Sequence, residues 1–198
     1  DMYIYGKLGN LTMTKEGINV LMTNLTGKVP PILQRLDYIR FNGEAAGYLH
    51  DLTLTGLFHT GAGMVKTDVM MSIDEQSMSR TYSGSVASAD LDLGKLLNQE
   101  KKFGKVDFNV ELKGFNYKNR YPESYIKGII SSFEYSQYQY ENIMLDGVYK
   151  DGGFNGRLSM DDANGSVQID GNFNVAKTIP DFNLKASVKN LRPHDLHL

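Results

Sequence analysis

The stretch FEYSQYQYENIMLDGVYKDGGFNGRLSM, residues 133–160, places an apolar residue at almost every second position, but the parity of that alternation changes twice. The apolar positions are odd at 133 and 135, even at 138 and 140, and odd again at 143 and 145. Successive residues of a strand point to opposite faces, so each change indicates a turn or a bulge between half-buried strands. Ser136 and Gln137 fill a two-residue turn, which predicts a hairpin of residues 124–135 and 138–150.

The composition indicates a folded chain with no strong electrostatic attraction to a partner. With 198 residues, 41% of them hydrophobic, the chain can bury a core as one large β domain or two small ones, and disorder is excluded. The formal charge of -2 and the pI near 6.1 give no long-range attraction to phosphate, so we expect no nucleic-acid partner. The lack of cysteine removes disulfides and thiolate metal sites and is neutral on compartment.

No apolar run approaches the roughly 20 residues that a membrane helix needs, and the N-terminus has neither a basic nor an apolar signal region. Because position 1 is Asp, we expect an excised segment or a processed product. Any membrane anchor would then lie outside this chain.

The second half of the sequence alternates with period two in four further runs. They are residues 106–112 (Val, Phe, Val, Leu), 154–160 (Phe, Gly, Leu, Met), 167–175 (Val, Ile, Gly, Phe, Val) and 182–188 (Phe, Leu, Ala, Val). Turn sequences separate them, at 151–153 (DGG) and 161–165 (DDANG). The pattern predicts antiparallel strands.

The first half follows the same pattern less cleanly. Ile18, Val20 and Met22 alternate and predict a strand, as do residues 52–58 and residues 65–73 around Thr67. Two stretches look helical: VPPILQRLDYI (29–39), with Pro31 at its start, and DLDLGKLLNQEKKFG (90–104), with Asp90 or Asp92 as a cap and Gly104 beyond the end. We expect both to be short plugs that cover an open end or edge of the sheet.

The sequence contains no convincing catalytic or metal motif. His194 and His197 stand three residues apart but lack a third ligand, and residues 60–67 (TGAGMVKT) lack the Gly-Lys-Thr ending of a phosphate loop. The DDANG turn has Ala163 where a calcium loop needs an oxygen ligand, and the Asp74–Glu75 pair is typical of a solvated turn. We therefore predict neither catalysis nor a metal site.

Four stretches carry a family resemblance in their order: YSGSVASADLDLGKLL (82–97), GKVDFNVELKG (104–114), YQYENIMLDGVYKDGGFNGRLSMDDANGSVQIDGNF (138–173) and PDFNLKASVKNLRPHDLHL (180–198). The most specific part is the Tyr-x-Tyr-x-Asn-Ile-x-Leu-x-Gly phrase at 138–147, followed by Phe-x-Gly-x-Leu at 154–158. These phrases resemble the repeats of the AsmA-like superfamily, above all the TamB translocation and assembly module proteins of Bacteroidetes-type bacteria. The likeness covers residues 26–198 and is looser over 1–25.

The resemblance implies a fold and a role. The fold would be all-β: an elongated, strongly curved antiparallel sheet, a half-pipe or β-taco, with one or two short capping helices. Residues 1–198 would be a single β-repeat segment of a larger periplasmic protein that is anchored in the inner membrane of a Gram-negative bacterium. Such proteins are non-enzymatic and need no cofactor. Their roles are phospholipid transport and outer-membrane protein assembly with an outer-membrane barrel of the TamA type.

One face of the expected sheet is long, apolar and free of charge, and it is the candidate groove for phospholipid acyl chains. An acyl chain laid against it would gain about 0.8 kcal/mol per buried methylene. A client β-strand could instead pair with a free sheet edge. The groove-lining candidates are Val106, Phe108, Val110, Leu112, Ile143, Leu145, Phe154, Leu158, Val167, Ile169, Phe173, Phe182, Leu184 and Val188.

Three alternatives remain from the sequence. The apolar face could close on itself as a sandwich core without room for a ligand. An outer-membrane barrel also alternates apolar and polar residues, although the two helical stretches and the lack of long polar loops argue against it. Seven tyrosines between Tyr117 and Tyr149 could form the flat platform of a glycan-binding or adhesive β-sandwich module, although no Trp accompanies them.

Overall fold

A computed structural model describes residues 3–26, 29, 31–48, 50–74, 76–77, 79–116, 123–174 and 180–196. Eleven strands account for most of these residues. They are β1 (Tyr3–Thr14), β2 (Tyr38–Tyr48), β3 (Asp51–Thr60), β4 (Gly63–Asp74), β5 (Ser79–Asp92), β6 (Phe103–Asn116), β7 (Glu123–Tyr135), β8 (Tyr138–Lys150), β9 (Gly153–Asp162), β10 (Gly165–Asn174) and β11 (Asp181–Lys189).

All eleven strands belong to one sheet whose spatial order is the order of the chain. Each strand pairs antiparallel with the strands before and after it, so every connection is between neighbours. Among the described residues, β1 pairs only with β2 and β11 only with β10, so the sheet is open. The prediction of an all-β antiparallel fold is confirmed.

The parity changes of residues 133–160 have the two causes that the sequence indicated. Ser136 and Gln137 both adopt left-handed backbone conformations, with φ of 49° and 66°, and they form the two-residue turn between β7 and β8. The second change falls at Asn142, where φ is 52° and the pairing of β8 with β7 skips Asn142 and Ser131. The predicted hairpin is confirmed; its two strands keep one register on both sides of Asn142, and the bulge lies in β7 at Ser131, where the pairing with β6 shifts.

The first helix, α1 (Lys15–Thr26), corrects one strand prediction. Ile18 and Met22 are four residues apart, so in a helix both can face the core, and Ile18 is buried while Val20 is 63% exposed. The short run of apolar residues is therefore compatible with the periodicity of a helix and with that of a strand. Helix formation is decided by packing on the sheet.

The two predicted helices exist, but both are shorter than the sequence indicated. The second, α2 (Pro31–Gln34), has four residues, and the end of the predicted stretch, with Ile39, belongs to β2. The third, α3 (Leu93–Leu97), begins after Asp92, whose carboxylate Oδ1 accepts a hydrogen bond from the Lys95 backbone nitrogen at 2.9 Å. It ends at Asn98, which has a φ of 56°, whereas Gly104 already lies in β6.

These helices cover one end of the sheet. Side chains from all three pack with residues from β5, β6 and the β3–β4 turn in a core whose buried members are Ile18, Leu36, Ala62, Leu91, Leu96 and Val106. We call this the capped end of the sheet. The helices therefore cover one end of the sheet, as the sequence predicted. The described residues form three helices instead of the one or two expected, because α1 was predicted to be a strand.

Candidate ligand-binding face

Strand register aligns the apolar residues of neighbouring strands in continuous rows. Cross-strand partners share a face of the sheet, so the pairings define the faces without ambiguity. One row crosses six strands and consists of Val110, Gly128, Leu145, Leu158, Ile169 and Ala186. A second row consists of Phe108, Ile130, Ile143, Met160, Val167 and Val188. We call the side of the sheet that carries these rows the apolar face.

All fourteen groove-lining candidates lie on the apolar face. The remaining candidates join three further rows: Leu112 leads to Leu184, Phe154 lies between Tyr149 and Phe173, and Val106 pairs with Phe133. The candidates predicted from the sequence did not include the apolar-face residues of β7 or of the first half of the chain. Their signal was present as alternation around glycine, because Ile126 and Ile130 flank Gly128.

Exposure along the apolar face increases from the capped helices toward β11. Val106 is 4% exposed because the helices cover it, so the accessible part of the face begins beyond it. Phe108, Val110, Leu112, Ile143, Leu145, Phe154, Val167 and Ile169 are half-buried. The last strands leave apolar side chains in contact with solvent: Leu158, Phe173, Phe182, Leu184 and Val188 are all exposed. The structure has no second sheet over them among its described residues.

The C-terminal turn extends the cover of the capped end to β8. Tyr140 donates a hydrogen bond from its hydroxyl to the Leu196 carbonyl oxygen at 2.8 Å, and the Leu196 side chain is completely buried. The Arg192 backbone nitrogen donates to the Asn164 carbonyl oxygen at 2.9 Å, which holds the turn on the β9–β10 connection. Burial raises the pKa of the Tyr140 phenol. The apolar face is therefore closed at one end of these strands.

Glycines occupy the middle of several strands on the apolar face, under aromatic rings. Gly43 and Gly56 are directly opposed on β2 and β3, and a Cβ added at either residue would lie within 2.8 Å of the Phe41 ring. Gly147, Gly156 and Gly171 form one row on β8, β9 and β10. A side chain at these positions would collide with the neighbouring strand. The glycines thus permit close approach of backbone and ring.

Few polar side chains reach the apolar face. The Tyr82 and Ser124 hydroxyls hydrogen-bond to each other, and the Tyr82 ring covers Gly114. The hydroxyl of Thr67, on β4, is buried and finds no hydrogen-bond partner among the described residues. An unpaired buried hydroxyl costs about 1–3 kcal/mol. Arg80, Ser88 and Asp162 also lie on this face, by their pairing with Ile73, Phe108 and Gly165. Between these groups the described part of the face offers dispersion and hydrophobic contact.

The opposite face of the sheet carries a row of charges with alternating sign. Cross-strand pairing places Glu111, Lys127, Asp146, Arg157, Asp170 and Lys185 in order from β6 to β11, and we call these six residues the charge ladder. The Lys127 Nζ lies 3.3 Å from Asp146 Oδ2, and the Arg157 Nε lies 2.6 Å from Asp170 Oδ1. At the other edge of the sheet, Lys7 pairs with Glu44 at 3.3 Å. Opposite charges on neighbouring strands fix the register of the sheet.

Hydrogen bonds at the charge ladder shift the pKa values of its residues and of the neighbouring Tyr125. The Tyr125 hydroxyl donates to Asp146 Oδ1 at 2.8 Å, and this bond, followed by the contact with Lys127, lowers the pKa of the Asp146 carboxyl. The same hydrogen bond raises the pKa of Tyr125, and the Asp146 contact raises the pKa of Lys127. These shifts belong to exposed structural pairs on the face away from the groove candidates.

The described tyrosines of the sequence cluster are divided between the β7–β8 turn and the two faces of the sheet. Tyr135, Tyr138 and Tyr140 pack near the β7–β8 turn, where the Tyr138 and Tyr140 ring centroids are 4.8 Å apart in an edge arrangement. Tyr125 lies on the face of the charge ladder, whereas Tyr149 lies on the apolar face. Tyr117 and Tyr121, the other members of the sequence cluster, lie outside the described residues. Most of the described rings thus serve packing or cross-strand contacts.

The weak motifs are turns. Gly61 and Ala62 of TGAGMVKT connect β3 to β4, and Ala163 and Asn164 of DDANG connect β9 to β10. Asp74 is the last residue of β4, and hydrogen bonds from Ser77, first from its side chain, lower the pKa of the Asp74 carboxyl. Glu75 and His197 lie outside the described residues.

Two kinds of special site do not occur in the described part of the chain. No group of three His, Asp or Glu side chains that could hold a metal ion occurs there. No helix there has the length and apolarity to span a membrane.

Comparison with known proteins provides no relative for this arrangement. No family model matches the chain, and neither the curated proteins nor the solved structures include one with significant similarity. What this chain binds therefore follows from its own faces, edges and charges.

Proposed function

We propose that the protein is a non-enzymatic scaffold segment whose apolar face binds the acyl chains of phospholipids. The observation that carries this proposal is the set of apolar rows that continue from β6 to β11, which are covered at the helices and exposed from Leu158 to Val188. Exposed apolar patches of this kind mark interaction sites, because a chain without a partner gains by burying them.

The total exposed surface supports a partner for this face. The chain exposes 13052 Å², whereas a compact protein of 22.2 kDa exposes about 9,400 Å², so the excess is roughly 40%. A single open sheet explains this excess, since each half of a sandwich would cover the other. Acyl chains fit such a face because they need no hydrogen bonds and gain about 0.8 kcal/mol per buried methylene.

A strongly curved sheet would turn the apolar face into a groove. Glycines at strand centres on that face, such as Gly84, Gly128 and Gly156, allow the strands to bend toward it. In our proposal the concave side is a half-pipe, or β-taco, that runs across the strands. Acyl chains lie along this axis, and their head groups stay at the rim opposite the capped end.

The wider setting of this proposal follows the family resemblance. We place the chain in the periplasm of a Gram-negative bacterium, as one β-repeat segment of a TamB-like, AsmA-like protein with its inner-membrane anchor outside this chain. Its role would be phospholipid transport, outer-membrane protein assembly, or both, with an outer-membrane barrel of the TamA type as the partner. The order of the repeat phrases and the open all-β sheet support this assignment.

Photo-crosslinking tests the proposal with a matched pair of neighbouring residues. Phe173 and Asn172 are adjacent on β10 and both exposed, but only Phe173 points to the apolar face. Each would be replaced by benzoylphenylalanine, and the purified chain would be irradiated with vesicles of phosphatidylethanolamine and phosphatidylglycerol. We expect lipid adducts at position 173 at least tenfold above those at position 172.

Two further positions make the result specific. Adducts are also expected at position 143, in the half-buried middle of the apolar face. None are expected at position 106, which the helices cover. Equal labelling at 172 and 173, or no adduct at any apolar-face position, would show that acyl chains are not the ligand.

A further inference from the structure

A depression of about 400 Å³ lies at the capped end of the sheet. Three separate segments form it: the α2–β2 connection, the β3–β4 turn, and α3 with the turn that follows it. Leu36, Ala62 and Leu96 line the depression and are buried members of the core beneath it. Its volume falls within the range of small-molecule sites, which is roughly 300–1,000 Å³. The depression is therefore large enough for a small ligand and rests on a packed floor.

The rim of the depression carries charges of both signs. Lys15, Arg35 and Lys95 are basic, and Asp37 and Glu100 are acidic. None of these five side chains forms an ion pair with another residue in the described part of the chain. In the charge ladder, by contrast, neighbouring opposite charges are in direct contact. The charged groups of the depression are thus available to a ligand.

Backbone carbonyl groups hold two of the basic side chains at the rim. Arg35 donates a hydrogen bond from Nη1 to the Leu96 carbonyl oxygen at 2.6 Å, and Lys95 donates from Nζ to the Gly61 carbonyl oxygen at 3.4 Å. An Arg side chain has five N–H donors and a Lys side chain has three, so both keep donors for a ligand. The two cations are therefore positioned before any ligand binds.

An acidic group stands beside the same turn as Lys95. The Asp37 carboxylate Oδ2 lies 3.9 Å from the position that a Cβ would take on Gly61, whose carbonyl oxygen accepts the Lys95 bond. The Asp37 backbone carbonyl oxygen also accepts a hydrogen bond from the Lys15 backbone nitrogen at 3.0 Å. Positive and negative side chains therefore surround one small space without neutralising each other.

We infer that this depression binds a small zwitterion with a phosphate and an ammonium group, of the phosphoethanolamine class. The phosphate accepts hydrogen bonds from Arg35 and Lys95, which suit phosphate oxygens as a planar fork and as a point charge. The ammonium group donates to Asp37 or Glu100. A simple anion would face the two carboxylates, and a simple amine would face the three basic groups. A ligand with both charges avoids either repulsion.

This inference goes beyond the proposed function because it needs no acyl chain. The depression lies over the core of the capped end, whereas the proposed acyl-chain contacts lie on the exposed part of the apolar face. A phosphoethanolamine group occurs both as a free compound and as a lipid head group. The same charges would recognise it in either form.

A resonance titration of the isotope-labelled 198-residue chain at low ionic strength tests the inference. The probes are phosphoethanolamine, inorganic phosphate and ethanolamine. We expect phosphoethanolamine to shift the amide resonances of residues 34–37, 61–62 and 95–100 with a Kd on the order of 1 mM, because a few exposed charge contacts supply the affinity. Phosphate and ethanolamine should each bind about fivefold more weakly. Low ionic strength keeps the exposed charges unscreened.

Two substitutions separate the two halves of the ligand. Asp37→Asn should weaken phosphoethanolamine binding about two- to fivefold but leave phosphate binding equal or tighter. Lys95→Gln should weaken both ligands by a similar factor. Lys101→Gln is the matched control, since it removes the same charge from an exposed residue of the turn after α3 that does not line the depression. The amide spectrum of each variant shows whether the fold is retained.

A soluble analogue distinguishes the free compound from the lipid head group. Glycerophosphoethanolamine carries the phosphodiester of the head group without acyl chains. Tighter binding of this analogue would identify the head group as the ligand, and tighter binding of phosphoethanolamine would identify the free compound. Both results support a site for the zwitterion.

Three outcomes would overturn the inference. They are the absence of shifts in these segments up to about tenfold the expected Kd, phosphate binding as tight as that of phosphoethanolamine, and equal effects of Lys95→Gln and Lys101→Gln. Lipid crosslinking at position 173 is measured independently, so failure of one proposal leaves the other intact.

Discussion

Tyr140 and Leu196 are 56 residues apart in the chain and are joined by a 2.8 Å hydrogen bond from the phenol to the backbone carbonyl oxygen. Both residues are buried, so neither polar group can exchange this bond for water without opening of the turn. The bond therefore fastens the C-terminal turn onto the capped end. It also explains why an isolated terminal turn remains packed on β8.

Tyr140→Phe is expected to lower the free energy of unfolding by about 1–2 kcal/mol, because the Leu196 carbonyl loses its partner in a buried setting. Hydrogen exchange should accelerate in residues 190–196 before it does so in β6 or β7. Tyr149→Phe, on the same strand and face but at an exposed ring, serves as the control and should change little. Equal effects of the two variants would contradict the role assigned to the bond.

Ile18→Ala tests whether α1 is part of the core. Ile18 is 2% exposed and packs with residues of β5 and β6, so its truncation should cost about 2–4 kcal/mol in denaturant unfolding. Val20→Ala on the same helix changes an exposed side chain and should stay within about 0.5 kcal/mol. If residues 15–26 were instead a strand with Ile18 and Val20 on one face, the two variants would have similar effects.

The strands could be predicted from the sequence because their signal is local. Alternation, Asp-Gly turns and a two-residue turn at Ser136 determine β7 to β11 almost to the residue, and the second parity change falls at Asn142, opposite the bulge at Ser131. In each case the side-chain period and the turn conformation belong to a few consecutive residues. Every groove candidate therefore fell on one face.

The helices were harder to predict because their ends depend on distant contacts. Residues 18–22 satisfy both the helical and the strand period, and the core formed with Leu91 and Val106 selects the helix. The predicted helix over 29–39 ends early because Tyr38 and Ile39 pair with β1. The burial of Val106 depends on the same packing, so it could not be predicted from the sequence either. The charge ladder could not be predicted because its residues align only when the register of six strands is known.

Gly43→Ala tests the close approach of β2 and β3 under the Phe41 ring. A Cβ at Gly43 would collide with the Thr55 carbonyl oxygen and lie 2.6 Å from Gly56 Cα and 2.7 Å from Phe41 Cζ. Overpacking of this kind costs about 1–3 kcal/mol, measured as a lower denaturant midpoint. Gly9→Ala is the matched control, since its Cβ would meet nothing within 4 Å. A midpoint unchanged by Gly43→Ala would mean that the two strands separate freely at this point.

Acid should weaken the charge ladder before the capped end. The pKa of Asp146 is lowered by Tyr125 and Lys127, and that of Asp170 by Gln168 and then Arg157. A carboxyl whose pKa is lower in the folded state stabilises the fold above its unfolded pKa of about 3.9, and this contribution is lost as the pH falls toward the folded value. Amide exchange, corrected for its intrinsic pH dependence, should therefore become faster in β8–β10 below about pH 4 while the amides around Ile18 and Val106 stay protected. Asp146→Asn should reduce this pH dependence, whereas Glu100→Gln in an exposed turn should preserve it. A pH profile that Asp146→Asn leaves unchanged would show that the cross-strand pairs do not stabilise the sheet.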